Sequence, residues 1–396
     1  MLYRENKRGE KLSILGYGCM RFPRSGGKID EEKTEKLIVS AYKSGVNYFD
    51  TAYLYPGSEE ALGRILNKHG IRPKVSVATK LPHSGCRSPE DIERLFRISL
   101  ERLGTEWVDY YLMHNMSSFA QWESLRAAGA EDWIRLKKAE GSIRNIGFSY
   151  HGSVGDFKKL IDAYDWDFCQ IQYNYANETY QAGKEGLRYA SSKGLPVIIM
   201  EPLLGGQLAA KLPEKAKAEF VKRTGGDATA ASVSWALRWL WDQPEVTVVL
   251  SGMNEPEQLE GNLKSADLGL ASSFTEEDRE MFARVLSIFR QSYRIHCTGC
   301  SYCMPCTKGI NIPAVFAAYN SSYSQSLFTG MFGYAMSVGA HGNFPHYASD
   351  CISCGKCMRH CPQKINIPEE LKRVRRRLQV PFMKTIMKIY TKREQK

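Results

Sequence analysis

Several things are missing from this 396-residue chain, and each absence narrows what it can be. No window approaches the roughly 20 consecutive apolar residues that a membrane-spanning helix needs. The opening stretch, MLYRENKRGEKLSI, holds no apolar core of the kind a secretory leader carries, so a cytoplasmic location is the expectation. No GxGxxG follows the first strand candidate, which counts against an open doubly wound dinucleotide-binding sheet. No motif for nucleic-acid binding is visible, and no flavin fingerprint. Acidic residues all but vanish at the end: residues 372–396 hold ten Lys and Arg against Glu394 alone, so most of the formal +11 charge sits there. The basic balance therefore describes a tail and not the body.

What is present starts with an ordinary globular composition, 43% apolar and 24% charged. Eleven cysteines without an export signal favour metal binding over disulfides. Short apolar, β-branched runs alternate with longer stretches of helical periodicity. The runs are 12–18, 46–50, 75–80, 108–114, 145–149, 168–174, 196–201 and 246–251. Between them, 58–69, 88–103, 122–140, 179–193 and 228–241 space their apolar residues as helices do. In 88–103, Ser88 suits an N-cap, Pro89 the first helical position and Gly104 the stop. Eight strand–helix units predict an α/β fold, a (β/α)8 TIM barrel over residues 1–290.

Near residue 290 the text changes. Cysteines crowd at 297–306 and 351–361, separated by a stretch rich in Tyr, Phe, Ser and Gly that reads as partly helical. A smaller, mainly helical iron–sulfur domain is expected over 291–370, and a basic C-terminal tail over 371–396.

Four polar residues stand at or near the ends of barrel strand candidates: Asp50, Tyr55 five residues on, Lys80 and His114. Each alone also reads as a solvated or structural residue. Together they fall where a barrel collects its catalytic groups, at the C-terminal ends of its strands. The phrases DTAYLYPGSEEALG, ATK, YLMHN and IGFS, in that order, resemble the aldo-keto reductases over residues 1–285. The resemblance implies NAD(P)H-dependent reduction of an aldehyde or ketone, or oxidation of the alcohol, by a tetrad of Asp50, Tyr55, Lys80 and His114. Tyr55 would give a proton to the carbonyl oxygen, and the Lys80 ammonium would favour the tyrosinate. Asp50 would hold and charge-balance Lys80, and His114 would orient the carbonyl or assist the proton transfer.

The resemblance also implies cofactor contacts at Ser149, Gln170 and Met200, and at Gly252, Asn254, Gln258 and Asn262. Tyr150 replaces the Asn usual after the Ser. Met200 replaces an aromatic that stacks on the nicotinamide. Gly252 and Gln258 replace Lys and Arg, so NADP(H) and NAD(H) both stay open. In 114–125, Met, Phe and Trp hint at an apolar substrate pocket.

The second cysteine run, Cys351, Cys354, Cys357 and Cys361 followed by Pro362, has the spacing of a bacterial ferredoxin [4Fe–4S] run, whose fourth Cys serves the other cluster. The first run, Cys297, Cys300, Cys303 and Cys306, is one residue shorter in its last gap. The crossing rule groups Cys297, Cys300, Cys303 and Cys361 on one cluster, and Cys306, Cys351, Cys354 and Cys357 on the other. Zinc stays open, since paired CxxC motifs suit tetrahedral sites. GINIP (309–313) and KINIP (364–368) repeat after the two runs, each expected to lead into a helix. The whole chain to about residue 370 resembles a subgroup of aldo-keto reductases with a ferredoxin-like C-terminus. Cys19, Cys86 and Cys169 read as buried or incidental thiols. The tail reads as a solvated basic segment, a dock for an acidic ferredoxin or flavodoxin, or a peripheral membrane contact.

Three functions stay open at this point. The clusters are staples beside an ordinary carbonyl reductase. Alternatively they wire the enzyme to a ferredoxin-type partner, with a flavin between if nicotinamide is the donor. Or the chain is a redox-sensing or docking module without fast turnover. Tyr55 argues against the last, since a sensor has no need of a proton donor.

Overall fold

The computed structural model describes residues 1–338 and 346–380. It contains two compact units: Met1–Leu203 with Val233–Phe274, and Leu204–Ser232 with the chain from Thr275 onward.

The first unit is a closed barrel of eight parallel strands: β1 (Leu15–Gly18), β2 (Tyr48–Asp50), β3 (Ser76–Leu81), β4 (Val108–Met116), β5 (Ile143–Tyr150), β6 (Phe168–Gln172), β7 (Val197–Met200) and β8 (Val246–Ser251). Neighbours in sequence are neighbours in the sheet, and β8 pairs β1 to close it. All eight runs read from the sequence become these strands. The first is cut short, because Lys11–Ser13 pairs back on Tyr3–Glu5 as an antiparallel hairpin. Leu12 of that hairpin joins Tyr48, Ala78, Tyr110, Leu112, Phe168, Ile198, Val248 and Leu250 in the barrel interior.

Side chains alternate along a strand, so a buried Tyr48 or Phe168 fixes which later residues also face inward. Two residues after Tyr48 comes Asp50. Ala78 is followed by Lys80, Leu112 by His114, Phe168 by Gln170 and Gln172, and Ile198 by Met200. The layer nearest the strands' C-terminal ends is thus polar, on an apolar floor.

Helices cover the outside. Pro89–Leu103 starts and stops as its sequence indicates, with Gly104 left-handed at φ 59°. The stretch 122–140 differs: it is two helices, Phe119–Ala127 and Ala130–Ala139. The break is Gly129, at φ 81°, where a Cβ would meet the Pro89 ring at 2.8 Å.

The second unit is helical. Its helix Glu276–Ser292 contains residue 290, the boundary expected from composition. Glu214–Thr224 packs on that helix through Phe220 and Phe282, rings 5.4 Å apart, and through Arg223 Nε on Asp278 Oδ1 at 2.9 Å. Ile312–Ser324 and Ile367–Leu378 are the helices that follow the two repeated phrases. Asn311 and Asn366 cap them alike, accepting from the N–H of Ala314 and of Glu369. Ile310, Ile312, Val315, Phe316, Ile367, Leu371, Val374 and Leu378 form the shared core. The basic stretch thus begins inside a packed helix, and residues 381–396 lie outside those described. No helix among the described residues is long and apolar enough to cross a membrane.

Candidate active site and cysteine module

Asp50, Lys80 and His114 are buried at the ends of β2, β3 and β4. Lys80 Nζ donates to Asp50 Oδ1 at 2.6 Å and to the Thr51 carbonyl at 2.7 Å. Gln170 Nε2 donates to the other Asp50 oxygen at 3.0 Å. The carboxylate is thus held on both sides, as a buried charge must be. Tyr55, half-buried in the loop after β2, lies over this pair, its ring centre 5.2 Å from Lys80 Nζ. The His114 ring meets it edge-on, centroids 5.9 Å apart at 84°. The structure therefore brings the four candidate residues together.

Burial drives the His114 imidazole well below its ordinary pKa, with the Lys80 ammonium, His151 and His83 adding to the effect. Burial also takes His151 down to about 4. The mouth is lined by neutral imidazoles around one ammonium.

Positioning residues appear that the motifs did not single out. Buried Glu59 accepts from Thr79 Oγ1 at 2.5 Å and from Arg102 Nη1 at 3.1 Å. Arg102 in turn donates to the Tyr53 carbonyl and stacks on its ring at 4.4 Å. Thr51 and Ser58 hydroxyls bond at 2.8 Å across the same loop. These contacts fix the turn that carries Tyr55. Glu59 lies inside the quoted DTAYLYPGSEEALG, where an acid beside a conformationally demanding Gly57 was the available signal.

The expected nucleotide contacts divide. Ser149 Oγ accepts from the Asn115 N–H at 2.7 Å, which leaves its own hydroxyl proton to donate. Gln170 Oε1 is buried with no partner. An acceptor and a donor thus face a half-buried Met200 across adjacent strands, and that set fits a carboxamide-bearing ring. Gln258 instead accepts from the Asn254 N–H at 2.9 Å, and buried Asn262 donates to Ser251 Oγ at 2.8 Å. Both are engaged within the chain. Gly252 is exposed, and a Cβ there would lie 3.5 Å from Arg21 Cβ. Arg21 thus places a cation beside a position where a cation was missed. Of the Met, Phe and Trp in 114–125, Met116 and Trp122 are fully buried, Trp122 packed on Trp166 at 4.7 Å, and Phe119 is half-buried.

All eleven cysteines are described, and none is in a disulfide. Cys19 and Cys169 are buried and Cys86 half-buried. The remaining eight line two cavities. Cys306, Cys351, Cys354 and Cys357 ring the first, and Cys297, Cys300, Cys303 and Cys361 the second. The same grouping shows in electrostatics. Burial and then Cys297, Cys300 and Cys361 push Cys303 up to about 12. Burial, Cys306, Cys351 and Cys354 raise Cys357. Cys303 and Cys357 so placed resist ionisation until a cationic core joins them, whereas backbone N–H and Thr307 hydrogen bonds lower exposed Cys354. Among the described residues no three Cys, His, Asp or Glu side chains converge on a point as a single ion requires. Each set of four sulfurs surrounds a hollow, which suits a cluster that brings its own bulk. Backbone N–H groups of Lys308 and Ser353 point at Cys306 and Cys351 sulfurs, both at 3.4 Å. Such bonds tune a cluster's potential. Ile312 lines both cavities.

Known proteins resemble both parts of the chain. Residues 14–281 match the aldo/keto reductase family, and residues 296–365 match the 4Fe-4S dicluster domain. An NADP(+)-named aldo-keto reductase of Schizosaccharomyces pombe is 25% identical over 311 residues, covering 68% of this chain and 88% of its own. The NADH-specific methylglyoxal reductase of Escherichia coli is 25% identical over 319 residues, covering 68% and 94%. Among solved structures, the holo aldo-keto reductase of Bacillus halodurans superposes with a TM-score of 0.59 at 23% identity, covering 72% of this chain and 96% of that one, which speaks for the fold alone. The chain belongs to the aldo-keto reductase family, and is an oxidoreductase of that family with a 4Fe-4S dicluster domain at its C-terminus.

Proposed function

We propose that the barrel reduces a small aldehyde or ketone, or oxidises the alcohol, with NAD(P)H, and that the C-terminal cysteines hold two [4Fe–4S] clusters that handle single electrons. The observation that carries the first half is the buried Lys80–Asp50 pair beneath Tyr55. The Tyr55 hydroxyl gives its proton to the carbonyl oxygen. Lys80, held in place by Asp50 and the Thr51 carbonyl, stabilises the tyrosinate that remains. His114 is neutral, so it can donate one N–H to the same oxygen and orient it without adding charge. A nicotinamide nucleotide bound there would supply the hydride. Ser149 and Gln170 Oε1 would hold its carboxamide, Met200 would pack on its ring, and Gly252, Asn254 and Arg21 would face the rest of the nucleotide. The names of the two relatives point to NADP and to NADH respectively, and methylglyoxal is the first carbonyl to try.

For the second half, the supporting observation is Ile312. One buried side chain borders both cysteine cavities, so an electron on either cluster is close to the other. That favours a relay over two separate staples. Cys306, Cys351, Cys354 and Cys357 would hold one cluster, and Cys297, Cys300, Cys303 and Cys361 the other.

The test is Tyr55→Phe, read as kcat/KM with methylglyoxal and simple aldehydes alongside iron content. A fall of about 10²–10⁴ at unchanged iron is expected for loss of a general acid. An unchanged rate would remove Tyr55 from the mechanism.

A further inference from the structure

One of the two cysteine cavities is bordered by an exposed cysteine, and its rim has a composition of its own. Cys354 is the exposed member of the eleven cysteines. In the same run, Ile352 is 57% and Met358 39% exposed. Lys308 and Ile352 line the cavity mouth. Lys308, Lys356 and Arg359 are all exposed. Neither 297–313 nor 351–368 contains an Asp or Glu. The acids just outside are occupied: Asp350 accepts from the Tyr347 N–H at 2.8 Å, Glu369 pairs Lys372 at 2.6 Å and Glu370 pairs Arg373 at 3.1 Å. The other cavity offers no such rim. Its four cysteines are all half-buried, and Phe316, Ile365 and Ile367 line it.

We propose that the rim formed by Cys354, Ile352, Met358, Lys308 and Lys356 docks a small acidic one-electron carrier protein, and that the cluster held there is the port of the pair. The proposal rests on the reading that these cysteines hold clusters. Electron transfer weakens steeply with distance, so the exposed edge is where a partner must approach. Transient redox encounters use small interfaces, and two exposed apolar side chains ringed by cations match that pattern. Cations without neighbouring acids steer an anionic partner and repel a cationic one. The step is one electron between carrier and cluster, with no bond made or broken on this chain. Ile312 borders both cavities, so the electron can be shared with the other cluster.

The experiment uses the full chain, cluster-loaded, under anaerobic conditions. Iron and sulfide are assayed first. The chain is reduced with dithionite, desalted, and mixed by stopped flow with oxidised acidic flavodoxin. The flavodoxin takes one electron and one solvent proton, and its blue semiquinone reports the transfer. The expected second-order rate falls at least about tenfold between roughly 20 mM and 300 mM NaCl, as screening removes steering. The K308E/K356E variant should be at least about tenfold slower at low salt, with a shallower salt dependence than the unmodified chain. A neutral quinone should oxidise both proteins equally fast, which separates docking from damage. A salt-independent rate in the unmodified chain overturns the proposal without recourse to any variant. So does an unchanged rate in the double variant. Loss in that variant of binding to phosphatidylglycerol vesicles, with flavodoxin unaffected, would assign the rim to lipid instead. Absence of iron and sulfide would sink the cluster reading, and this proposal with it, before flavodoxin is added. Carbonyl reduction at Tyr55 is measured separately and should not move.

Discussion

The barrel mouth and the cysteine module solve the same problem, gathering reactive side chains, in opposite ways. At the mouth the groups come from three different strand ends and one loop, and the packed barrel holds them. Their charges are answered inside the protein: Lys80 by Asp50 and Thr51, Asp50 again by Gln170. That arrangement is complete before any ligand arrives. In the module the cysteines come from two short runs on loops, backed by a modest helical core. Burial, and then the neighbouring thiols, oppose ionisation of Cys303, pushing it up to about 12. The mouth is preorganised, whereas the module is finished by what it binds. The difference teaches where each half should fail.

The largest effect should come from the module. In Cys357→Ser the cluster held with Cys306, Cys351 and Cys354 should be lost, and iron per chain should drop by about half. Carbonyl reduction should persist. Iron analysis and steady-state rates on one sample check this, and a parallel loss of carbonyl reduction would break the comparison.

At the mouth the largest stability change should follow Lys80→Met, which leaves the Asp50 carboxylate buried with Gln170 as its remaining partner. A cost of about 3–5 kcal/mol is expected in chemical denaturation. Replacing both partners, with Asp50→Leu added, should recover part of that loss. If Lys80→Met alone is neutral, the pair is not the mouth's internal brace.

Acid should also act on the mouth. His151 has a folded pKa of about 4 against an ordinary 6.5. The unfolded chain therefore takes up a proton first as pH falls. The stability His151 contributes is intact above pH 6.5 and is lost towards pH 4, by about 3 kcal/mol. The slope of stability against pH in that window should flatten in His151→Gln, measured by urea denaturation at stepped pH. The smallest effect belongs to the wall of the barrel. Gly129→Ala forces a side chain into φ 81° and against Pro89, and should cost about 1–2 kcal/mol with the mouth unaffected.

The sequence was most readable where side chains carry their own signal. Eight apolar runs became eight strands, because parallel strands buried on both faces need such runs. The spacing of the cysteine runs implied the same two sets of four that ring the cavities. It was least readable where the backbone does the work. The Thr51 carbonyl that receives Lys80 could be any residue's carbonyl. Gly129 breaks the helix with a left-handed backbone, and the Pro89 ring that a Cβ there would meet lies forty residues away in sequence. Gln258 and Asn262 look like ligand contacts by residue type, but their amides are used by Asn254 and Ser251. Met116 and Trp122 resemble pocket walls until the core claims them. The boundary near 290 was blurred because Glu214–Thr224, far earlier in the chain, packs with Glu276–Ser292.

The central claim is a division of labour: hydride at the barrel mouth, single electrons on the clusters. It is tested most directly by anaerobic titration of the cluster-loaded chain with NADPH and then NADH, following cluster absorbance and the EPR signal while nicotinamide fluorescence reports binding. The account predicts that the nucleotide binds and the clusters stay oxidised, since nicotinamide gives two electrons at once as hydride and each cluster takes one. Cluster bleaching on addition of either nucleotide would contradict it.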